Sequence, residues 1–384
     1  MKKSTVWSIL SIFMCLLLLL AACTPKVETS ASPIAPTTPI VPTSAAKPAS
    51  VSAEEAAWAQ VVADAKKEGN VTVYAYSWVG DIGLAAKRTF EKRYNINLEV
   101  LTGRQAEFEE RLKTERRIGQ VLGDMSEGSC GNNNSMKMSG LLTSVADDLS
   151  TLREKDVWLV NPTFLDPMDK VNLGWRQTID TPWVNTNLVK PDEYPRSWRD
   201  LLDPKWKGKM GIRDPRLSAS ISATFTALLD KKVWDEDYMR ALHRQDLRYP
   251  LSTIDDVNML SRGEINLSVI FSGATGGPAA LEGAPIRAVS MKQGDSVSLA
   301  CIAAIAKSPH PNATKVLLNW LLSNEGQEVM GKAESNLMVR KDVADFRPSP
   351  AITEMIDPTL MTSAYMDEGT RRFRERWYDK VVGR

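Results

Sequence analysis

Apolar positions along residues 53–112 alternate between two spacings. Trp58, Val61, Val62 and Ala65 recur at helical intervals behind Ser52-Ala53-Glu54-Glu55, a capping box, and Gly69 closes the run. Val71 to Tyr76 is a short apolar-rich stretch and predicts a buried strand. Asp81 begins a second helix that sets Ala85, Ala86 and Phe90 on one face. Ile96 to Leu101 predicts a second strand, followed by a helix through Phe108 and Leu112. This strand–helix alternation predicts an α/β fold with a mostly parallel sheet covered by helices.

The same rhythm resumes after a break near 165–180. Leu173 to Thr178 and Trp183 to Leu188 read as extended, Ser197 opens a short helix to Leu202, and Lys209 to Arg213 reads as a strand. Helices are expected near 218–230, 234–244 and 254–262, then a strand at 265–271 that runs into the glycine-rich turn Ser272 to Gly277. A strand at 297–306 and helices at 312–322 and 324–334 complete the pattern, with no internal repeat. Sheets of this kind hold ligands outside their C-terminal strand ends, beside helix N-termini. Those places carry Ser77 and Trp78, Arg104, Arg213 with Arg216, and Ser272, Gly273 and Thr275.

The first 52 residues follow different rules. Lys2 and Lys3 precede an apolar run from Ile9 to Leu20 that closes on Leu20-Ala21-Ala22-Cys23. This is the layout of a secretory signal, too short and wrongly flanked for an ordinary membrane-spanning helix. The Leu-Ala-Ala-Cys box resembles the bacterial lipoprotein signal, which implies lipidation of Cys23 and anchoring through acyl chains. Residues 24–52 hold six Pro and ten Ser or Thr with no aromatic residue, too little apolar surface to offset ordering entropy. They should form an extended tether of up to about 90 Å at roughly 3.1 Å per residue.

Composition narrows the functional classes. A chain of 384 residues allows two domains. With 48 basic against 47 acidic residues there is no general basic face for nucleic acid, so any preference for anions must be local. Two histidines cannot form a His-rich metal site. His243 falls on a polar helix and reads as solvated; His310 precedes a helix and reads as a loop or capping residue. No P-loop, HExxH, GxSxG or GxGxxG pattern occurs, so no cofactor is expected and an enzyme is the weaker class. Cys301 lies in an apolar run and reads as a buried strand residue, whereas Cys130 reads as a loop residue; a disulfide between them is allowed but not required.

Four stretches then point to a family: Gly103-Arg-Gln-Ala-Glu-Phe108 with Glu115-Arg-Arg-Ile-Gly119, Tyr194 to Lys209, Ser261-Arg-Gly-Glu264, and His310 to Gln327. In this order, over about 53–340, the chain resembles bacterial extracellular solute-binding proteins of family 1. The similarity is to the subgroup with ferric-ion, polyamine, thiamine and organophosphate binders of ABC importers. The resemblance implies a type II periplasmic-binding-protein fold, two α/β lobes with a ligand cleft at the hinge. It implies lobe 1 at 53–165 plus 288–340, lobe 2 at 166–287, and a C-terminal helical segment, 341–384, packing on lobe 2. It also implies a monomer outside the cytoplasm that hands a small-molecule solute to an ABC permease and its ATPase. The paired tyrosines of the ferric binders are missing, since the matching segment is Phe271 to Thr275. Tyr74, Tyr76 or Tyr249 could replace that pair only if folding brought them together.

What remains for ligand contact is Ser77, Trp78, Arg104, Ser129, Trp183, Asn185, Arg213, Ser218, Ser272, Gly273 and Thr275, with Asn133 a weaker candidate. Guanidinium forks, hydroxyls and backbone N–H groups suit an anionic organic acid or phosphonate. Two alternatives stay open: an iron or iron-chelate binder with other ligands, and a secreted hydrolase or stand-alone sensor on the same scaffold.

Overall fold

The computed structural model describes residues 52–215, 219–347 and 380–381. The signal segment, Cys23 and the tether up to residue 51 lie outside the described residues, as do Arg216, Ser218 and nearly all of the segment after 347.

The first half opens with α1 (Ala53–Glu68), started by the reciprocal Ser52–Glu55 capping box and ended by Gly69 at φ +73°. It continues through β1 (Asn70–Ala75), α2 (Asp81–Tyr94), β2 (Asn97–Thr102) and α3 (Gln105–Arg117). Next come β3 (Met125–Ser129), α4 (Cys130–Met138) and the two-residue β4 (Leu142–Thr143). The polar sequence of β3 carries no strand signal; hydrogen bonds to β1 and to a late strand make it one, and packing buries it. Cys130, expected in a loop, is the first residue of α4.

The chain then crosses on β5 (Leu173–Asn185), one 13-residue strand where two extended pieces were expected. The second half contains β6 (Met210–Gly211), α5 (Ala219–Asp230), α6 (Glu236–His243), α7 (Thr253–Arg262), β7 (Leu267–Ser272), α8 (Gly273–Leu281) and β8 (Ile286–Ala288). The strand expected at 209–213 is thus only two residues long, and the segment Trp198–Leu202 is a 3-10 helix. The glycine-rich stretch after Ser272 is helical. Its glycines let α8 press onto β5, because a Cβ at Gly276 would sit 2.6 Å from the Trp183 ring. The return crossing is β9 (Ser296–Ile305), followed by α9 (Pro311–Leu322), α10 (Asn324–Glu334) and β10 (Leu337–Met338).

All strands share one sheet, ordered β2-β1-β3-β9-β5-β7-β6 along its main path. β1 is parallel to β2 and β3, and β6 to β7, but both crossing strands are antiparallel to all their partners. The mostly parallel sheet expected from the rhythm therefore exists only at the two outer ends. Each end has its own core. Phe90, Leu98, Met125, Trp175, Ile302 and Trp320 anchor the first; Trp198, Trp206, Phe225, Trp234 and Ile270 anchor the second. A third cluster under the crossing strands holds Ile179, Trp183, Phe271, Val297 and Leu299. Cys130 and Cys301 are bridged there, with Cα atoms 4.8 Å apart, tying α4 to β9. After α10, Val343 packs on the first core, whereas Val381 belongs to the second.

Candidate functional site

Register along β5 locates the strand ends of the two halves relative to each other. Arg176 pairs with Ala300 of β9, which in turn pairs with Ser129 at the end of β3. Asp180 pairs with Ser296 on one side and with Ser272, at the end of β7, on the other. The two sets of C-terminal strand ends thus face each other across four residues of β5, about 13 Å at roughly 3.3 Å per residue. A register shift between Gly174 and Arg176 makes Trp175 the extra residue and aligns Arg176, Thr178 and Asp180 on one face. Arg176 donates to Thr178 Oγ1 at 2.9 Å along that row.

The first-half end is satisfied internally. Glu127, fully buried on β3, accepts hydrogen bonds from the backbone N–H of Tyr76 (3.0 Å), that of Ser77 (2.9 Å) and the Ser77 hydroxyl (2.8 Å). Arg176 lies between two buried carboxylates, 3.7 Å from Glu127 and 2.7 Å from Glu334, the latter contact off the hydrogen-bonding direction of its Nε–H. Burial pushes the Glu334 carboxyl up to about 7 against the opposing charge of Arg176.

The second-half end is arranged differently. Asp180 is 4% exposed, and burial pushes its carboxyl up to about 7, opposed by the charge of Arg213 and a hydrogen bond from the Ser272 hydroxyl. Arg213 also opposes the burial that pushes Asp256 up to about 7. Ser272, Gly273, Ala274 and Thr275 are half-buried, at the start of α8. The first N–H groups of any helix lack intrahelical acceptors, and the helix dipole adds partial positive charge. Ser272 does not cap α8 with its side chain, and no acid stands in its first turn.

Other helix starts are served by the chain itself. Ser52, Ser129, Asp235, Ser252 and Ser323 cap α1, α4, α6, α7 and α10. Asp81 and Glu107 stand in the first turns of α2 and α3, and Glu68 accepts from the N–H groups of Asn312 and Ala313 in α9. Among the α-helices whose N-terminal flank is described, α8 alone has neither a side-chain acceptor at its start nor an acid in its first turn.

The expected site residues separate into groups on this geometry. Ser272 and Arg213 act on Asp180, and Gly273 and Thr275 follow Ser272 in the first turn of α8. Ser77 lines the opposite end, bound to Glu127. Trp78 is buried edge-on against Trp175, and Trp183 edge-on against Phe271. Arg104 projects into solvent and pairs with Glu107 at 2.5 Å. Ser129 caps α4, and Asn133 is buried in hydrogen bonds with Ser126 and the Cys301 carbonyl. Asn185 holds the backbone, donating to the Leu260 carbonyl at 2.7 Å. Tyr74 stacks on Phe108 and donates to Glu115, while Tyr76 is exposed. His243, read as solvated, is half-buried with Nδ1 3.0 Å from the Tyr249 hydroxyl; His310 pairs with Asp124.

Glu127, Arg176 and Asp180 were missed. The detectable signal was in β5, where Arg176 and Asp180 are the two charged residues of a strand otherwise apolar or uncharged; buried charges need partners or a purpose. A surface notch of about 530 Å³ lined by Asp192, Tyr194, Arg199, Asp203 and Lys205 contains none of these residues. Among the described residues, no group of three or more His, Cys, Asp or Glu side chains is placed to hold a metal ion, and no helix is long and apolar enough to cross a membrane.

Comparison with known proteins gives this geometry a context. Residues 140–351 match the family model described as bacterial extracellular solute-binding protein. Over 155 residues the chain is 31% identical to an uncharacterized protein of Haemophilus influenzae, a match spanning 38% of this chain and 43% of that protein, under half its length. Among solved structures, the fold is similar to the periplasmic binding protein AfuA of Actinobacillus pleuropneumoniae, solved with fructose-6-phosphate. The identity there is 20% and the TM-score 0.61, over 82% of this chain and 98% of that one. It is also similar to iron-bound HitA of Pseudomonas aeruginosa, at 17% identity and TM-score 0.61 over 79% and 99% of the chains. A third likeness is to IdiA (FutA) of Trichodesmium, in complex with iron and citrate, at 18% identity and TM-score 0.63 over 82% and 99%. The architecture is the two-lobed α/β fold of periplasmic binding proteins.

Proposed function

The chain belongs to the bacterial extracellular solute-binding proteins, and from that premise we propose that it traps a small anionic organic solute between its lobes for an ABC-type permease. Proteins of this family act outside the cytoplasm, bind small-molecule solutes and work with ABC permeases; they are binding proteins rather than enzymes. In this reading β5 and β9 are the hinge, and closure brings the two sets of strand ends onto the solute, whose contacts favour the closed state. Lobe 1 then comprises 53–165 plus 288–340 and lobe 2 comprises 166–287.

One observation carries the ligand class: the half-buried N-terminus of α8 has neither a side-chain cap nor an acid in its first turn, and it follows Ser272, which bonds to the Asp180 on which Arg213 acts. A carboxylate or phosphate group there would take the N–H groups of Ala274 and Thr275 and complement the dipole. The sugar phosphate in AfuA is a solute of this chemistry. Iron is bound in two similar structures, but their identity to this chain is below 20%, and the segment 271–275 offers hydroxyls where the ferric binders have tyrosines. We further propose that Cys23 is lipidated and that residues 24–52 tether the lobes to a membrane. Incorporation of a labelled fatty acid, lost in Cys23→Ala, tests this.

A thermal-shift screen of organic acids, phosphonates, sugar phosphates, amines and Fe(III) tests the ligand class. An anion at 100 times its Kd should add about 2.7 kcal/mol of stability. Stabilisation by Fe(III) and by no organic anion would overturn it.

A further inference from the structure

The sheet is thinnest between its two halves. From the first half, β3 reaches β9 only as far as Ala300, and β10 meets β5 only at Arg176 and Gln177. From the second half, β7 reaches β5 only as far as Asp180. Among the described residues, Thr178 and Ile179 of β5 therefore have no strand partner but β9, where they face Ser298 and Val297. A bend is easiest at this neck, where no third strand has to shear. Another part of the chain links its two sides. After β10, Val339 and Lys341 are hydrogen-bonded to residues 157–160, and the buried Arg340 donates to Glu154 and to the Leu322 carbonyl. Phe346 lies against the backbone of α10, since a Cβ at Gly331 would sit 2.8 Å from its ring. The segment thus belongs to the first half up to its last described residue, Arg347. There the guanidinium is 8% exposed; Nε and Nη2 donate to Asp345 at 2.8 and 2.6 Å, and the buried Nη1 has no hydrogen-bond partner. The charge of Arg347 acts on Asp295, which stands immediately before β9 on the second-half side of the neck. Asp295 is fully buried and ties that side together, accepting from the hydroxyls of Thr181 (2.6 Å) and Ser290 (2.7 Å) and the N–H of Met291 (3.1 Å). Burial pushes its carboxyl up, opposed by these hydrogen bonds and by Arg347.

We infer that Arg347 and Asp295 form an electrostatic latch across the neck, which holds the lobes in the conformation described here without touching the solute. This rests on the closure proposed above and adds what sets its resting balance. Arg347 is carried by α10, whereas Asp295 is fastened to Thr181 beyond the neck, so a bend at 178–179 changes their separation. Between buried charges, which water and salt screen poorly, attraction depends strongly on that separation. The latch therefore favours one lobe arrangement over the other, and a solute that favours the other has to overcome it. Asp345 occupies one edge of the guanidinium and keeps it in place.

Pulsed electron resonance on the solute-free full chain tests the latch. Nitroxides are attached through a genetically encoded keto amino acid at two exposed positions, Lys92 in the first half and Lys231 in the second. Arg347→Gln should change the ratio of inter-lobe distance populations roughly fivefold or more, away from the spacing of the unaltered chain. Arg347→Lys, which keeps the charge, should retain most of that spacing. Asp295→Asn should reproduce the shift, and adding Arg347→Gln to it should change little more. Populations unchanged in Arg347→Gln, with the fold intact by circular dichroism, overturn the latch. An equal further shift in the Asp295→Asn background overturns it too. Should Arg347→Gln fail to fold, Asp295→Asn decides by the same comparison with the unaltered chain. Fructose-6-phosphate and citrate serve as solute probes: populations that move with either but not with the variants overturn the latch and leave closure standing. One narrow distance in every sample overturns the latch together with the closure it acts on.

Discussion

The two sets of strand ends that face across β5 are built from similar parts and behave differently. At the first, Glu127 takes two backbone N–H groups and a hydroxyl, Ser129 caps α4, and the Cys130–Cys301 bridge fastens that helix to β9. At the second, α8 starts without cap or acid, and its half-open first turn lies beside a buried carboxylate and an arginine. In the proposed reading the first end is scaffold and the second, whose helix starts without a side-chain cap, is where a solute gains most from binding, because the donors it meets give up little to receive it.

The largest expected effect is on the scaffold side. Cys130→Ala/Cys301→Ala, which opens a loop of 171 residues, should cost about 4 kcal/mol of stability in denaturant unfolding. Anion affinity should change far less. Glu127→Gln comes next: it weakens three hydrogen bonds and the charge facing Arg176, for about 3 kcal/mol, again read by denaturant midpoint. Ser272→Asp gives α8 the acid that other helix starts possess and should erase the contrast between the ends. Anion affinity should fall roughly 100-fold, worth about 2.7 kcal/mol, in a calorimetric titration, with the fold intact by circular dichroism.

A smaller effect is in pH. Asp180, Asp256 and Glu334 hold their protons up to about 7 in the fold, against ordinary values of 3.8 and 4.5. Between those values the folded chain binds more protons than the unfolded one, so stability falls as pH rises from about 4.5 to 7. The solute-free protein should therefore melt at a higher temperature at pH 5.5 than at 7.5, and Asp180→Asn should shrink the difference. Carboxylates held low by their partners, such as Asp166 and Asp200, lose stability only below that window. The smallest effect is that of Ser129→Ala, which removes one cap for about 1 kcal/mol and should leave affinity unchanged.

Much of the scaffold was legible in the sequence because helices announce themselves by spacing and caps; Ser52, Gly69 and the run of α9 were each readable alone. β3 was not, since Met125-Ser-Glu-Gly-Ser129 is a strand only through partners contributed by β1 and β9. Site residues followed the same division. The place of Ser272, Gly273 and Thr275 after a strand was readable, although the turn they were assigned is a helix. Trp78, Trp183 and Asn185 sat equally well at strand ends by sequence, but which face a side chain takes depends on bulges and neighbours that no local pattern records. Arg176 and Asp180 acquire meaning only when a single long strand carries them from one half to the other.

Backbone amide resonances report most directly on where the solute binds. A ¹⁵N-labelled chain would be titrated with whichever anion stabilises it most in the thermal screen. The account predicts the largest shifts at Ala274 and Thr275, with little change at Ser129 or Arg104. Shifts centred on residues 77–81 or 103–105, with Ala274 and Thr275 unmoved, would contradict it.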